Sequence, residues 1–156
     1  MTELGELHLH RLLVAVDGSN TAELALSAAV TAARRDNAAI TLLAVTPNFL
    51  AESHLWTTGS PDPNALQQEA DEEAERLLSE TVDRLPANIP VTKRLRHGKA
   101  GPEIVAQARE CDYDAILLGA RGVGRVHALV GSVSSYVLHH ADTAVFVAHA
   151  PRQPSD

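Results

Sequence analysis

A parallel α/β domain with helices on both sides of its sheet is what this sequence predicts, and three observations carry that expectation. Short apolar runs alternate with amphipathic, capped stretches along the chain. The clearest runs are nearly continuous, the pattern of strands buried on both faces. Two of them end in glycine-bearing turns, Asp17-Gly18-Ser19 and Gly119-Ala120-Arg121-Gly122. Alternation of this kind builds a doubly wound sheet with right-handed crossovers. Ligands in such sheets bind at the carboxyl ends of strands, where the winding reverses.

Residues 11–16, Arg-Leu-Leu-Val-Ala-Val, form the first strand and stop at Asp17-Gly18-Ser19. Asn20 and Glu23 stand at capping-box spacing, with Ser19 a competing N-cap, so a helix is expected over 20–36. Leu24, Ala28 and Ala32 mark its expected inner face. Residues 39–45 are the second strand, ending at Thr46-Pro47. Residues 48–64 hold Gly59, Pro61 and Pro63 without a clear period and are expected to be a long loop. Trp56 within it covers either a ligand or a hydrophobic shoulder.

A helix follows over about 65–85, with Leu66, Ala70, Ala74, Leu77, Leu78, Val82 and Leu85 on one face and acidic residues on the other. Pro86 and Pro90 end it. Residues 91–96 alternate polar and apolar, which suits an edge or half-exposed strand. Gly101-Pro102-Glu103 opens a helix with Pro at its first position, turning Ile104, Val105 and Ala108 inward. Residues 115–119 are the next strand, 132–140 a short helix, and 144–148 the last strand.

The composition narrows the function. The chain of 156 residues fits one domain with a real core, placed at 11–150 between tails at 1–10 and 151–156. Apolar residues make up 45% and aromatics only 3%, so the core must be built of small aliphatic side chains. With 13 basic against 20 acidic residues the net charge is −7, which argues against nucleic acid and anionic membranes as partners but not against a small anion held by a local field. Cys111 is the only cysteine, leaving no intrachain disulfide or thiolate zinc site, and it is expected to be a partly buried structural residue. Residues 1–10 lack a basic n-region and a long apolar h-region, and no apolar run reaches transmembrane length, so a cytoplasmic protein with no membrane insertion is expected.

The strongest chemical signal is the stretch from Gly119 through Gly131-Ser132. A strand that ends in glycines and leads to a helix opening at Gly-Ser presents backbone N–H groups and the positive end of a helix dipole, a cradle for phosphate. Asp17 in the other turn reads equally as a ligand contact or as a turn and capping residue. Arg121 and Arg125 carry the positive charges of the glycine-rich segment. No Walker-type Lys follows, and the pattern is not Gly-x-Gly-x-x-Gly after a first strand. The eight histidines, with His8/His10 and His139/His140 the closest pairs, lack carboxylate or cysteine partners at ligand spacing and are expected at the surface rather than on a metal. No nucleophile–base pair or paired carboxylates stand out, so no catalytic residue is assigned.

These residues resemble the universal stress protein family. The likeness lies in Val14-Ala15-Val16-Asp17-Gly18-Ser19, Leu43-Ala44-Val45, Gly98 before Gly101-Pro102-Glu103-Ile104, Leu118-Gly119-Ala120-Arg121-Gly122, Gly131-Ser132-Val133 and Val145-Phe146-Val147. The resemblance implies a five-stranded parallel sheet of order 3-2-1-4-5, with helices on both faces, and a homodimer through the last strand. It also implies binding of ATP or another adenine nucleotide, with Mg²⁺ brought by the phosphates. Asp17 would contact the nucleoside, the Val45 backbone the adenine edge, and Ala15 the pocket floor. Gly119, Gly122, Gly131, Ser132 and Val133 would hold ribose and phosphates. With their neighbours Val16, Ala120, Arg121, Arg125 and Ser134, these are the candidate site residues. The family motif of ATP binders is Gly-x2-Gly-x9-Gly-Ser/Thr, whereas the second spacer here, 123–130, has eight residues. The adenylating signatures Ser-Gly-Gly-x-Asp and His-x-Gly-His are absent. A dimeric regulatory module of the stress response is therefore expected, with any ATP hydrolysis slow and incidental. The alternative is a nucleotide-free interaction module of the same fold.

Overall fold

The computed structural model describes residues 4–120 and 131–151. Its elements follow the order β1 (Arg11–Ala15), α1 (Asn20–Asp36), β2 (Ala39–Thr46), α2 (Phe49–Glu52), a 3₁₀ turn (Ser53–Leu55), α3 (Pro63–Arg84), β3 (Val91–His97), α4 (Ala100–Glu110), β4 (Ala115–Gly119), α5 (Ser132–His140) and β5 (Ala144–Ala148). The strands form one five-stranded sheet in the order β3-β2-β1-β4-β5. Each neighbouring pair is parallel.

Successive side chains of a strand face opposite sides, and here both sides are covered. Leu12 and Val14 of β1 point into one core with Leu42 of β2, Leu117 of β4, Ala25 and Ala29 of α1, and Ala74 and Leu78 of α3. Leu13 of β1 joins the opposite core with Leu43, Ile116, Ile104 and Val105 of α4, and Val137 of α5. Both faces of β1 are closed to water, which is why its sequence reads as a continuous apolar run. The edge strand β3 is half covered, in keeping with its mixed sequence.

Local details depart from the sequence expectations in instructive ways. The buried face of α1 is Ala22, Ala25, Leu26, Ala29 and Ala33; of the expected set, Ala32 packs partly buried against this core, whereas Ala28 is exposed and Leu24 is 38% exposed. The first turn of that helix packs closely on Gly119 through Thr21 and Ala22. Ser19 prevails over Asn20 as N-cap, its hydroxyl accepting the Ala22 N–H at 3.2 Å. The segment expected to be a plain loop over 48–64 contains α2 and the 3₁₀ turn, and α3 begins at Pro63 behind an Asp62 cap. Helix α4 starts at Ala100, so Pro102 occupies its third position, where its missing N–H has no helical partner to lose. Leu9, placed in a tail by the sequence, is buried at 6% exposure, with its N–H donated to Asp36. No helix among the described residues is long and apolar enough to cross a membrane.

Candidate functional site

The winding reverses between β1 and β4, which are adjacent. Their carboxyl ends therefore open into one crevice. The crevice is a cleft with a cavity volume of about 130 Å³. Each described candidate lines it: Ala15, Val16 and Asp17 after β1, Val45 from β2, Gly119 and Ala120 after β4, and Gly131 to Ser134 at the start of α5. Arg121, Gly122 and Arg125 lie outside the described residues.

The first turn is set by Gly18, whose φ of +80° favours glycine. One Asp17 carboxylate oxygen accepts the Ser19 N–H at 2.9 Å, so Asp17 serves the turn while a carboxylate retains capacity for further donors. Asp17 is exposed. It is the single ionisable side chain among the described residues of the lining.

Gly119 has a packing reason of its own. A Cβ there would lie on Thr21 Oγ1 and 2.7 Å from both Ala22 N and Thr21 C. Only glycine lets the first turn of α1 close over the end of β4. Beyond it, the Ala120 N–H donates to Ala148 O at 2.8 Å. The buried Ser134 hydroxyl bridges the Ala120 and Gly131 carbonyls at 2.9 and 3.1 Å. The Gly131 N–H donates to Ala120 O as well. Ser134, a candidate site residue in the sequence, is therefore committed to joining the two ends of segment 121–130.

Among the described residues, no acceptor is present for the first-turn N–H groups of α5. Its N-cap, Gly131, has no capping side chain. The N–H groups of Ser132, Val133 and Ser134 thus have no intrahelical acceptor, and this turn lines the cleft. Opposite stands an apolar wall that sequence reading missed: Leu43, Leu118, Ala22, and Ala100 and Ile104 of α4. Those residues read as ordinary core positions; the helix start near Gly101 was the one local signal that α4 would reach the site. Trp56 does not line the cleft but meets Phe49 edge-on at 6.1 Å, covering a shoulder of its own segment.

A second polar cluster lies at the carboxyl ends of β2 and β3. His97 Nε2 is 3.0 Å from both oxygens of Asp71. Thr46 Oγ1 and Gln67 Nε2 donate to Asp71 Oδ1 at 2.9 and 3.1 Å. Gln67 also donates to Pro47 O and accepts the Phe49 N–H. Burial works against the Asp71 charge, but the bonds from His97, Gln67 and Thr46 outweigh it and hold the carboxyl below the usual Asp range. Among the described residues no group of three His, Cys, Asp or Glu is placed to hold a metal ion.

The geometry now has a family context. The Universal stress protein family model matches residues 8–149. The chain belongs to that family. Universal stress protein Sll1388 of Synechocystis sp. is 26% identical, over 88% of this chain and 96% of its own length. The structure of the universal stress protein UspA from Lactobacillus plantarum superposes with a TM-score of 0.68 at 26% identity, covering 92% of this chain and 99% of that one. The universal stress protein from Archaeoglobus fulgidus, solved in complex with dAMP, shares the fold at a TM-score of 0.66 and 24% identity, covering 91% of this chain and 99% of that one.

Proposed function

We propose that this universal stress protein binds an adenine nucleotide, ATP among them, in the β1–β4 cleft, and that occupancy biases a conformation or a partner choice in the stress response. The observation that carries the reading is the pairing of two chemistries in one crevice. An apolar wall suits the flat face of a base, and the uncapped first turn of α5 offers N–H donors and a positive dipole end to a phosphate. The dAMP held by the Archaeoglobus relative supports the same class of ligand. Asp17 and the Val45 backbone would address the nucleoside and base edge, with Gly131, Ser132 and Val133 at the α-phosphate. Asp17 is one carboxylate, so Mg²⁺ would arrive on the phosphates of ATP rather than in a protein-built cage. The role is binding, with any hydrolysis slow. Calorimetry with millimolar ATP and with AMP tests it; no heat and no thermal shift with either ligand defeats it.

A second reading has its own observation. Gly119 is explained by helix packing and Ser134 by loop closure, neither needing a nucleotide. A nucleotide-free interaction module would keep both. Mass spectrometry of small molecules released from freshly purified protein separates the readings.

The functional unit in this proposal is a cytoplasmic homodimer. Strand β5 lies at the sheet edge with Phe146 44% exposed, and an open apolar edge invites pairing. Antiparallel pairing of β5 with its twofold mate would cover it. Val147→Asp should give monomers or insoluble protein. Sedimentation showing wild-type monomer at tens of micromolar contradicts the dimer.

A further inference from the structure

We propose that Gly101, through its contact with Tyr136, sets the gap across the cleft between the apolar α4 wall and the first turn of α5, and so the size of base it admits, an inference that rests on the nucleotide reading above. Gly101 is buried in the first turn of α4 and does not itself line the cleft, yet Ala100 and Ile104 on either side of it do. A Cβ at position 101 would stand 2.9 Å from Tyr136 Cβ, Cγ and Cδ1. Carbon atoms settle at about 3.5–4.0 Å, so an added methyl must part the two helices by roughly 0.5–1 Å. Tyr136 cannot evade it by swinging its ring, because Cβ, which no side-chain rotation moves, is among the atoms met. Helix propensity alone favours Ala over Gly at such a position, so the close approach is what glycine supplies there.

The ring is held from its other side as well. Tyr136 stacks on His140 with centroids 3.9 Å apart and planes 13° from parallel. His140 Nδ1 lies 2.8 Å from Tyr136 O. Arg109 of α4 donates to His140 O at 3.0 Å and to Asp142 at 3.1 Å, tying the carboxyl ends of α4 and α5 together. With those ends tied, a wedge between Gly101 and Tyr136 opens the helices at their amino ends. Those amino ends, Ala100 on one side and Gly131 to Val133 on the other, are walls of the cleft. Gly101 is a positioning residue for ligand size, acting through Tyr136.

The test compares AMP with etheno-AMP, whose base carries one extra fused ring, on the intact protein. Gly101→Ala should weaken AMP about tenfold, the scale of a pocket mismatch of one methylene. It should weaken etheno-AMP by no more than about threefold, so the preference for AMP falls. Tyr136→Ala removes the ring, lets the amino ends close and should raise that preference. A purely structural loss would weaken both ligands by one factor; equal factors in folded variants overturn the proposal. Should Gly101→Ala fail to fold, Tyr136→Ala decides alone by whether its preference moves. If wild type binds neither nucleotide, the nucleotide reading fails. The width is then read without ligand, and an Ala100–Val133 Cα separation unchanged in crystals of Gly101→Ala overturns the inference by itself.

Discussion

Two carboxyl ends of the same sheet carry polar groups, and they use them in opposite ways. At the β2–β3 end, His97, Asp71, Thr46 and Gln67 spend their hydrogen bonds on one another and on the Pro47 carbonyl and Phe49 N–H. At the β1–β4 end, the side chains are mostly apolar and the first turn of α5 keeps its main-chain N–H groups without helical acceptors, facing a cleft. A satisfied network rigidifies, whereas unsatisfied donors beside open space invite a ligand. The cluster richest in functional side chains is thus the structural one. The proposed binding site is built from glycines, small aliphatics and backbone.

The sharpest break of this contrast is at Gly119, which belongs to both stories. Gly119→Val drives a side chain into the backbone at Thr21 and Ala22. Overpacking against an unyielding backbone should cost about 3 kcal/mol or more, seen as a chemical-denaturation midpoint far below wild type or as loss of soluble protein. Full wild-type stability would mean that α1 yields, and the packing account of this glycine would fall.

Asp71→Asn should cost about 1–3 kcal/mol of stability, because a network member is lost and its partners remain, while AMP affinity stays unchanged. The sign of the pH dependence follows from the lowered carboxyl. A depressed folded pKa stabilises at and above the ordinary Asp value, about 3.8, and that stabilisation is lost as pH falls through the lower folded value. The gap between wild type and Asp71→Asn should therefore narrow below about pH 4. A gap that widens on acidification contradicts the assignment, and weaker AMP binding in this variant would erase the distinction between the two ends.

Ser132→Glu pulls stability and binding apart. A carboxylate in the first turn of α5 complements the helix dipole by about 0.3–1 kcal/mol, yet it repels an incoming phosphate. The expected result is an unchanged or slightly raised melting temperature with AMP bound about tenfold more weakly, near 1.4 kcal/mol. Unchanged AMP affinity would place the phosphate elsewhere.

The smallest effect concerns the triphosphate. With Asp17 the only ionisable side chain of the described lining, nothing there rewards the added phosphates strongly. ATP should be preferred over adenosine by less than about tenfold, under about 1.4 kcal/mol in parallel titrations. A hundredfold preference would assign strong phosphate contacts to segment 121–130, where Arg121, Gly122, Arg125 and the eight-residue spacer reside.

By itself the sequence determined the alternation of strands and helices, the strands closed on both faces, the edge character of β3 and the glycine turn after β1. Each is written in neighbouring residues: apolar continuity, helical spacing, caps and prolines act over a few positions. Strand order and family were legible through motifs spread along the chain. Tertiary structure decided the rest. It chose which residues of α1 are buried, with Thr21 and Ala22 packed against Gly119. It turned Ser134 into a clasp across residues 121–130 and brought Ala100 and Ile104 into the wall. It also joined Asp71 to His97 across two elements. Apart from the helix start near Gly101, these pairings leave no local trace, since a side chain's partner is set by packing between segments distant in the chain.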